Sequence, residues 1–177
     1  MATVNGTPTA VLAPWGEAAR VVARSAPPQL LRCIVVSLSA DRRRLIRTAA
    51  EAQAWDAIVC RDAGEFLRTA FKRSVPLIVV DLPDPSSQAY AELKGVVGKV
   101  KEITSSLLLV VGAGADETEE LWARQLGAWA YLCEANSMRG FELLMQEAQQ
   151  AVERREQLSP ETVLAESIPS PERPGRG

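Results

Sequence analysis

Residues 75–83 read Val-Pro-Leu-Ile-Val-Val-Asp-Leu-Pro, an apolar run that ends on an acid and then breaks on proline. The run is too short for an ordinary helix. It is rich in β-branched residues and flanked by prolines, so it predicts a strand buried on both faces. Strands of that kind belong to parallel sheets covered by helices. In open sheets of this type, ligands and chemistry sit beyond the carboxyl ends of the strands. Asp81 stands at that end, and the rest of the chain decides whether it has the company it needs to react.

Four further runs fit the same sheet: residues 33–38, 57–60, 106–111 and 129–133. Helical patterns alternate with them. Residues 42–54 carry Leu45, Ile46 and Ala49 on one face after the capping stretch Ser39-Ala40-Asp41. Arg42, Arg43, Arg44 and Arg47 fall on the expected outer face, as a solvated basic cluster. Residues 65–73 follow Asp62-Ala63-Gly64 and turn Phe66, Leu67, Ala70 and Phe71 inward. Residues 88–103 follow Ser86-Ser87. Their Gly95 and Gly98 weaken the helix or else allow close packing. Acids at 116–120 suit a helix N-terminus, and Gly127 suits the position just past its end. Asn136-Ser137 opens the last helix, residues 138–157, with Phe141, Leu144, Met145, Ala148 and Val152 on one stripe. Five strand–helix units in succession predict an α/β doubly wound parallel sheet with right-handed crossovers and helices on both faces.

The flanks differ in kind. Residues 1–30 are rich in Ala, Pro, Thr and Gly and read as a flexible arm. Within it, residues 15–24 have the makings of a short docking helix bearing Trp15, Ala18, Val21 and Val22. Residues 158–177, rich in Pro, Glu and Arg, read as a disordered tail, leaving 31–157 as the folded domain. No basic region precedes the short apolar patch near residue 11, and no run approaches the roughly 20 apolar residues of a membrane span. The expectation is a cytoplasmic protein that contacts neither membrane nor, at a net charge of −2, nucleic acid.

The chain contains no histidine, which excludes Ser-His-Asp and Cys-His catalysis and histidine metal ligation. Cys33, Cys60 and Cys133 lie far apart in or beside apolar runs and read as reduced core thiols rather than a metal or redox site. Gly112-Ala113-Gly114 follows the fourth strand rather than the first and leads into acids that would oppose a phosphate. Residues 37–41 make a poor flavin phosphate loop. No cofactor is expected.

Several landmarks fall in one register. Asp62-Ala63-Gly64-Glu65-Phe66-Leu67 follows the second strand, Asp81 ends the third, Pro85 sits in the loop behind it, Leu126-Gly127-Ala128 precedes the fifth, and Tyr131 lies within the fifth. Together they resemble the receiver domain of two-component response regulators, over about residues 32–153. The resemblance implies a flavodoxin-like fold with strand order 2-1-3-4-5, a phospho-acceptor position at Asp81 and an aromatic switch position at Tyr131. It also implies a Mg²⁺ held by an acidic pair after the first strand. Here that pair falls on Ser37 and Leu38, and leucine offers the ion nothing. The family's hydroxyl after the fourth strand falls on Val111 or, one residue on, Gly112. Its lysine falls on Glu134, which would repel a phosphoryl group, and its following proline on Ala135.

The chain therefore resembles a degenerate, or pseudo-receiver, domain. The resemblance implies a non-catalytic signalling module with a protein partner. Its interaction surface would lie on the fourth helix, fifth strand and fifth helix, around Trp122, Trp129 and Tyr131, and would also suit a homodimer. Asp81 then serves as a capping residue or pairs with a nearby cation. Two alternatives stand beside this reading: a single-domain response regulator phosphorylated on Asp81 at an atypical site, and a flavodoxin-like ligand binder or enzyme.

Overall fold

The structure, a computed structural model, describes residues 30–114, 116–133 and 137–158. Residues 1–29 of the predicted arm, residues 159–177 of the tail, and Glu134, Ala135 and Asn136 lie outside the described residues. Ten elements alternate: β1 (Leu31–Val36), α1 (Ala40–Ala52), β2 (Trp55–Cys60), α2 (Ala63–Lys72), β3 (Leu77–Asp81), α3 (Gln88–Ile103), β4 (Leu107–Gly112), α4 (Glu117–Gln125), β5 (Ala130–Cys133) and α5 (Met138–Gln157). The sheet is parallel throughout, in the order β2-β1-β3-β4-β5.

β3 is buried at every residue and β4 likewise, because helices cover both faces of the sheet. Alternate residues feed two cores. Cys33, Val35, Leu77, Val79, Leu109 and Val111 pack beneath α1 and α5. Ile34, Val36, Ile78, Val80, Leu108 and Val110 pack against α2, α3 and α4.

Caps set the helix starts. Ser39, Asp62, Ser87, Asp116 and Ser137 each accept a hydrogen bond from a backbone N–H of the first turn. Gly127 takes φ 71° after α4, the left-handed position that glycine fills without strain. α1 ends two residues before the expected end at 54. Ala54 instead adopts φ 58°, an unfavourable left-handed conformation for a residue with a Cβ. That turn starts β2 at Trp55, earlier than expected. The Trp55 ring is buried, and its Nε1 donates to the Met145 carbonyl of α5 at 3.1 Å.

Three expectations need correction, and one pair of alternatives is decided. Phe71 is 64% exposed, because α2 ends at Lys72 and the side chain lies past the face that buries Phe66 and Ala70. Cys133 is exposed at the end of the edge strand β5, unlike Cys33 and Cys60. A Cβ at Gly95 or Gly98 would meet nothing within 4 Å, so neither glycine serves close packing. The arginines of α1 do not share one solvated face. Arg44 and Arg47 point outward beside Asp41 and Glu51, whereas Arg42 and Arg43 turn to the strand ends. No helix among the described residues is long and apolar enough to cross a membrane.

Candidate functional site

The site forms where β1 and β3 end and α1 begins. Ser37 follows β1 and is fully buried, and Asp81 closes β3 at 7% exposure. The Ser37 hydroxyl donates to Asp81 Oδ2 at 2.6 Å. Arg42 sits in the first turn of α1, placed there because Ser39 caps that turn. Its Nη2 and Nε both donate to Asp81 Oδ1, at 2.7 and 3.1 Å. The guanidinium also lies over the Phe141 ring of α5, 5.5 Å from its centroid, a favourable cation–π arrangement. Arg43 Nη1 donates to the Ser37 carbonyl at 2.8 Å and braces the turn between β1 and α1. Both oxygens of Asp81 are thus engaged, one by a hydroxyl and one by a charged fork.

An open cavity of about 570 Å³ lies above, lined in part by Leu38, Ser39, Arg42, Asp81, Ser87 and Gly112. Asp84, on its rim, accepts from the Ser86 hydroxyl and amide at 2.6 and 2.8 Å, which hold its carboxyl below its ordinary pKa.

The residues do not fit Mg²⁺. The ion wants several carboxylate or water oxygens in octahedral array. Ser37 gives its proton to Asp81, Leu38 is apolar, and Asp41 is almost wholly exposed and faces Arg44 at 3.6 Å. Among the described residues no cluster of three acid, cysteine or histidine side chains can hold a metal. The cation beside Asp81 is Arg42.

The end of β4 borders a second polar group that sequence reasoning missed. Val111 pairs in register with Asp81, and Gly112 follows it. A Cβ at Gly112 would collide with Glu119 Oε1 and Tyr131 Oη. The missing side chain leaves the space in which Tyr131 Oη donates to Glu119 Oε1 at 2.9 Å. Glu119 is 1% exposed, although its sequence context reads as a solvated helix start. Burial, and then the Glu119 carboxylate, push the Tyr131 and Tyr90 phenols well above their ordinary pKa. Lys94 lies 4.3 Å from the Trp122 centroid and 4.9 Å from the Tyr90 centroid, and donates to the Tyr90 hydroxyl at 3.3 Å. One signal for this group is in the sequence: a buried tyrosine needs a hydrogen-bond partner, and Gly112 leaves room for one.

The three aromatics of the expected interaction surface do not form one patch. Trp122 and Tyr131 pack on the α2–α3–α4 side of the sheet, and Trp129 packs on the α1–α5 side. All three are half-buried. Among the described residues of α4 and α5, Leu121 and Leu143 are large apolar side chains exposed at 56% and 46%.

This arrangement of strands and helices is the fold of response-regulator receiver domains. A receiver-domain protein (CheY-like) of Methanospirillum hungatei superposes with a TM-score of 0.61 at 16% identity, over 73% of this chain and 99% of that one. A receiver domain from Clostridium thermocellum does so with a TM-score of 0.60 at 16% identity, over 73% and 100%. The chemotaxis response regulator CheY4 of Vibrio cholerae gives 0.55 at 15% identity, over 67% and 98%. No protein-family model matches the sequence, and no curated protein matches it.

Proposed function

We propose that this chain is a non-catalytic receiver-like module that regulates a protein partner without being phosphorylated. The observation that carries the reading is the occupation of both Asp81 oxygens by Ser37 and Arg42. A phosphoryl acceptor must offer a free oxygen to the incoming phosphorus. Here Arg42 would have to leave a position fixed by its paired donors and by Phe141. A tethered guanidinium beside the carboxylate takes the electrostatic role of a bound metal. It holds the site in one state.

The module spans residues 31–157, with 1–30 and 158–177 as appended segments. It acts in the cytoplasm, in keeping with the free thiols of Cys33, Cys60 and Cys133. Its partner face lies on α4, β5 and α5, helices on which Leu121 and Leu143 respectively are exposed. That face also suits pairing with a second copy.

The test is a titration with Mg²⁺ and beryllofluoride, followed by amide NMR shifts and tryptophan fluorescence, with Asp81→Ala as control. The expected result is no saturable response. A saturable response that Asp81→Ala abolishes makes the protein a phosphorylated switch and overturns the proposal.

A further inference from the structure

α4 is seated unlike the other helices. α1 buries Ile46, α2 Phe66, α3 Leu93 and α5 Phe141, whereas the buried residues of α4 are Ala123 and Glu119. Trp122 is half-buried and Leu121 is exposed. An alanine removes little apolar surface from water, so apolar packing holds α4 weakly. A helix of nine residues also has little stability of its own. The long side chain that α4 buries completely ends in a carboxylate.

Burying that carboxylate opposes docking, because water solvates it better than a protein interior does. None of the ion pairs among the described residues includes Glu119. The cost is offset by β5, whose Tyr131 Oη donates to Glu119 Oε1 at 2.9 Å in the space left by Gly112. Lys94 of α3, 4.3 Å from the Trp122 ring centroid, makes a second tie to α4. Undocking would return Glu119 to water and give up little apolar burial. We infer that α4 is a poised lid, latched to β5 by Tyr131 and Glu119, which opens locally while the sheet stays folded. Opening moves Leu121 and uncovers Tyr131, so the lid has two states that present different surfaces. The inference concerns α4 alone and holds whether or not Asp81 accepts a phosphoryl group.

The test is amide hydrogen exchange of the full chain, read residue by residue by NMR over a range of low urea concentrations. Relative to their unstructured rates, the amides from Leu121 to Leu126 should exchange faster than those of Val79 and Leu109, with little dependence on urea. Tyr131→Phe removes the latch and should speed α4 exchange about tenfold or more, the shift that loss of one such hydrogen bond produces. Glu119→Gln keeps an acceptor for Tyr131 and lowers the desolvation cost, so it should slow α4 exchange. Side chains that only fill space would move α4 in the same direction in both variants. Exchange of α4 in step with Val79 and Leu109, at the same free energy and urea dependence, overturns the inference. So does a Tyr131→Phe variant with unchanged α4 exchange, or a Glu119→Gln variant whose α4 exchange fails to slow.

Discussion

Arg42 donates twice to a single oxygen of Asp81, Oδ1, while the other oxygen accepts from Ser37. The Arg42 and Asp81 side chains are 19% and 9% exposed. Removing one member of such a pair leaves the other charge poorly solvated. Arg42→Met should therefore destabilise the fold by about 3 kcal/mol. Arg42→Lys should recover only part of that loss, because an ammonium cannot reproduce the paired Nε and Nη2 donors. Urea denaturation of the two variants, of Asp81→Asn and of the double variant checks this. A coupling energy near zero in that cycle would remove the pair from the account of the site.

Gly112 leaves the volume that the Glu119 carboxylate and the Tyr131 hydroxyl occupy. Gly112→Ala should cost about 1–3 kcal/mol, the usual range for forcing atoms into a filled interior. Tyr131→Phe leaves Glu119 buried without that donor and should cost a comparable amount. Combining the two substitutions should cost less than their sum, because the phenylalanine lacks the hydroxyl that is one of the atoms the new methyl group meets, the Glu119 carboxylate remaining the other. Thermal denaturation of the three variants measures this.

Two exposed backbone positions carry residues that do not suit their conformation. Gly95 is exposed mid-helix in α3 with open space where its Cβ would be, so Gly95→Ala should stabilise the fold by up to about 1 kcal/mol. Ala54 is left-handed at φ 58°, so Ala54→Gly should stabilise it by about 1 kcal/mol. The same pair of residue types is exchanged in opposite directions with one expected sign. Denaturation midpoints for both variants decide it.

The alkaline limb of the stability curve should be steep. Burial, and then the nearby Asp56 charge, push the Cys33 thiol from 9.0 to about 12. The Cys60 thiol and the Tyr90 and Tyr131 phenols are also raised. In each case the folded state holds its proton when the unfolded chain has released it. This contribution is complete below pH 9 and is lost as pH rises from there toward 12. Each fully divergent group adds a slope of at most about 1.4 kcal/mol per pH unit. Urea midpoints from pH 7 to 11 should fall from about pH 9, and Tyr131→Phe should flatten the upper part of the decline.

The fold was legible because it rests on short-range pattern. The runs around Ile78 and Leu109 are apolar on both faces, and that alone implies helices above and below. Ser87 and Ser137 announced helices that start where expected, and Gly127 announced an end. Phe71 misled because an apolar residue in the last turn of α2 has the right spacing but no neighbour to cover it.

The site was legible only in part. Sequence placed Asp81 at the end of one strand and Ser37 just past the end of its neighbour. It also grouped Arg42 with three other arginines on one face. Only the crossing of α1 over the end of β3 decided that Arg42 turns inward, across 39 residues of sequence, while Arg44 stays in water. Glu119 followed the same rule. In sequence it is one acid among four at a helix start, and in space it alone meets the gap left by Gly112 and the hydroxyl of Tyr131. The sequence by itself determined the alternation, the layers and the residue types at the strand ends, because each depends on residue type at fixed spacing. The tertiary structure decided which charges are paired and which are solvated, because pairing depends on distances between elements that no local pattern encodes.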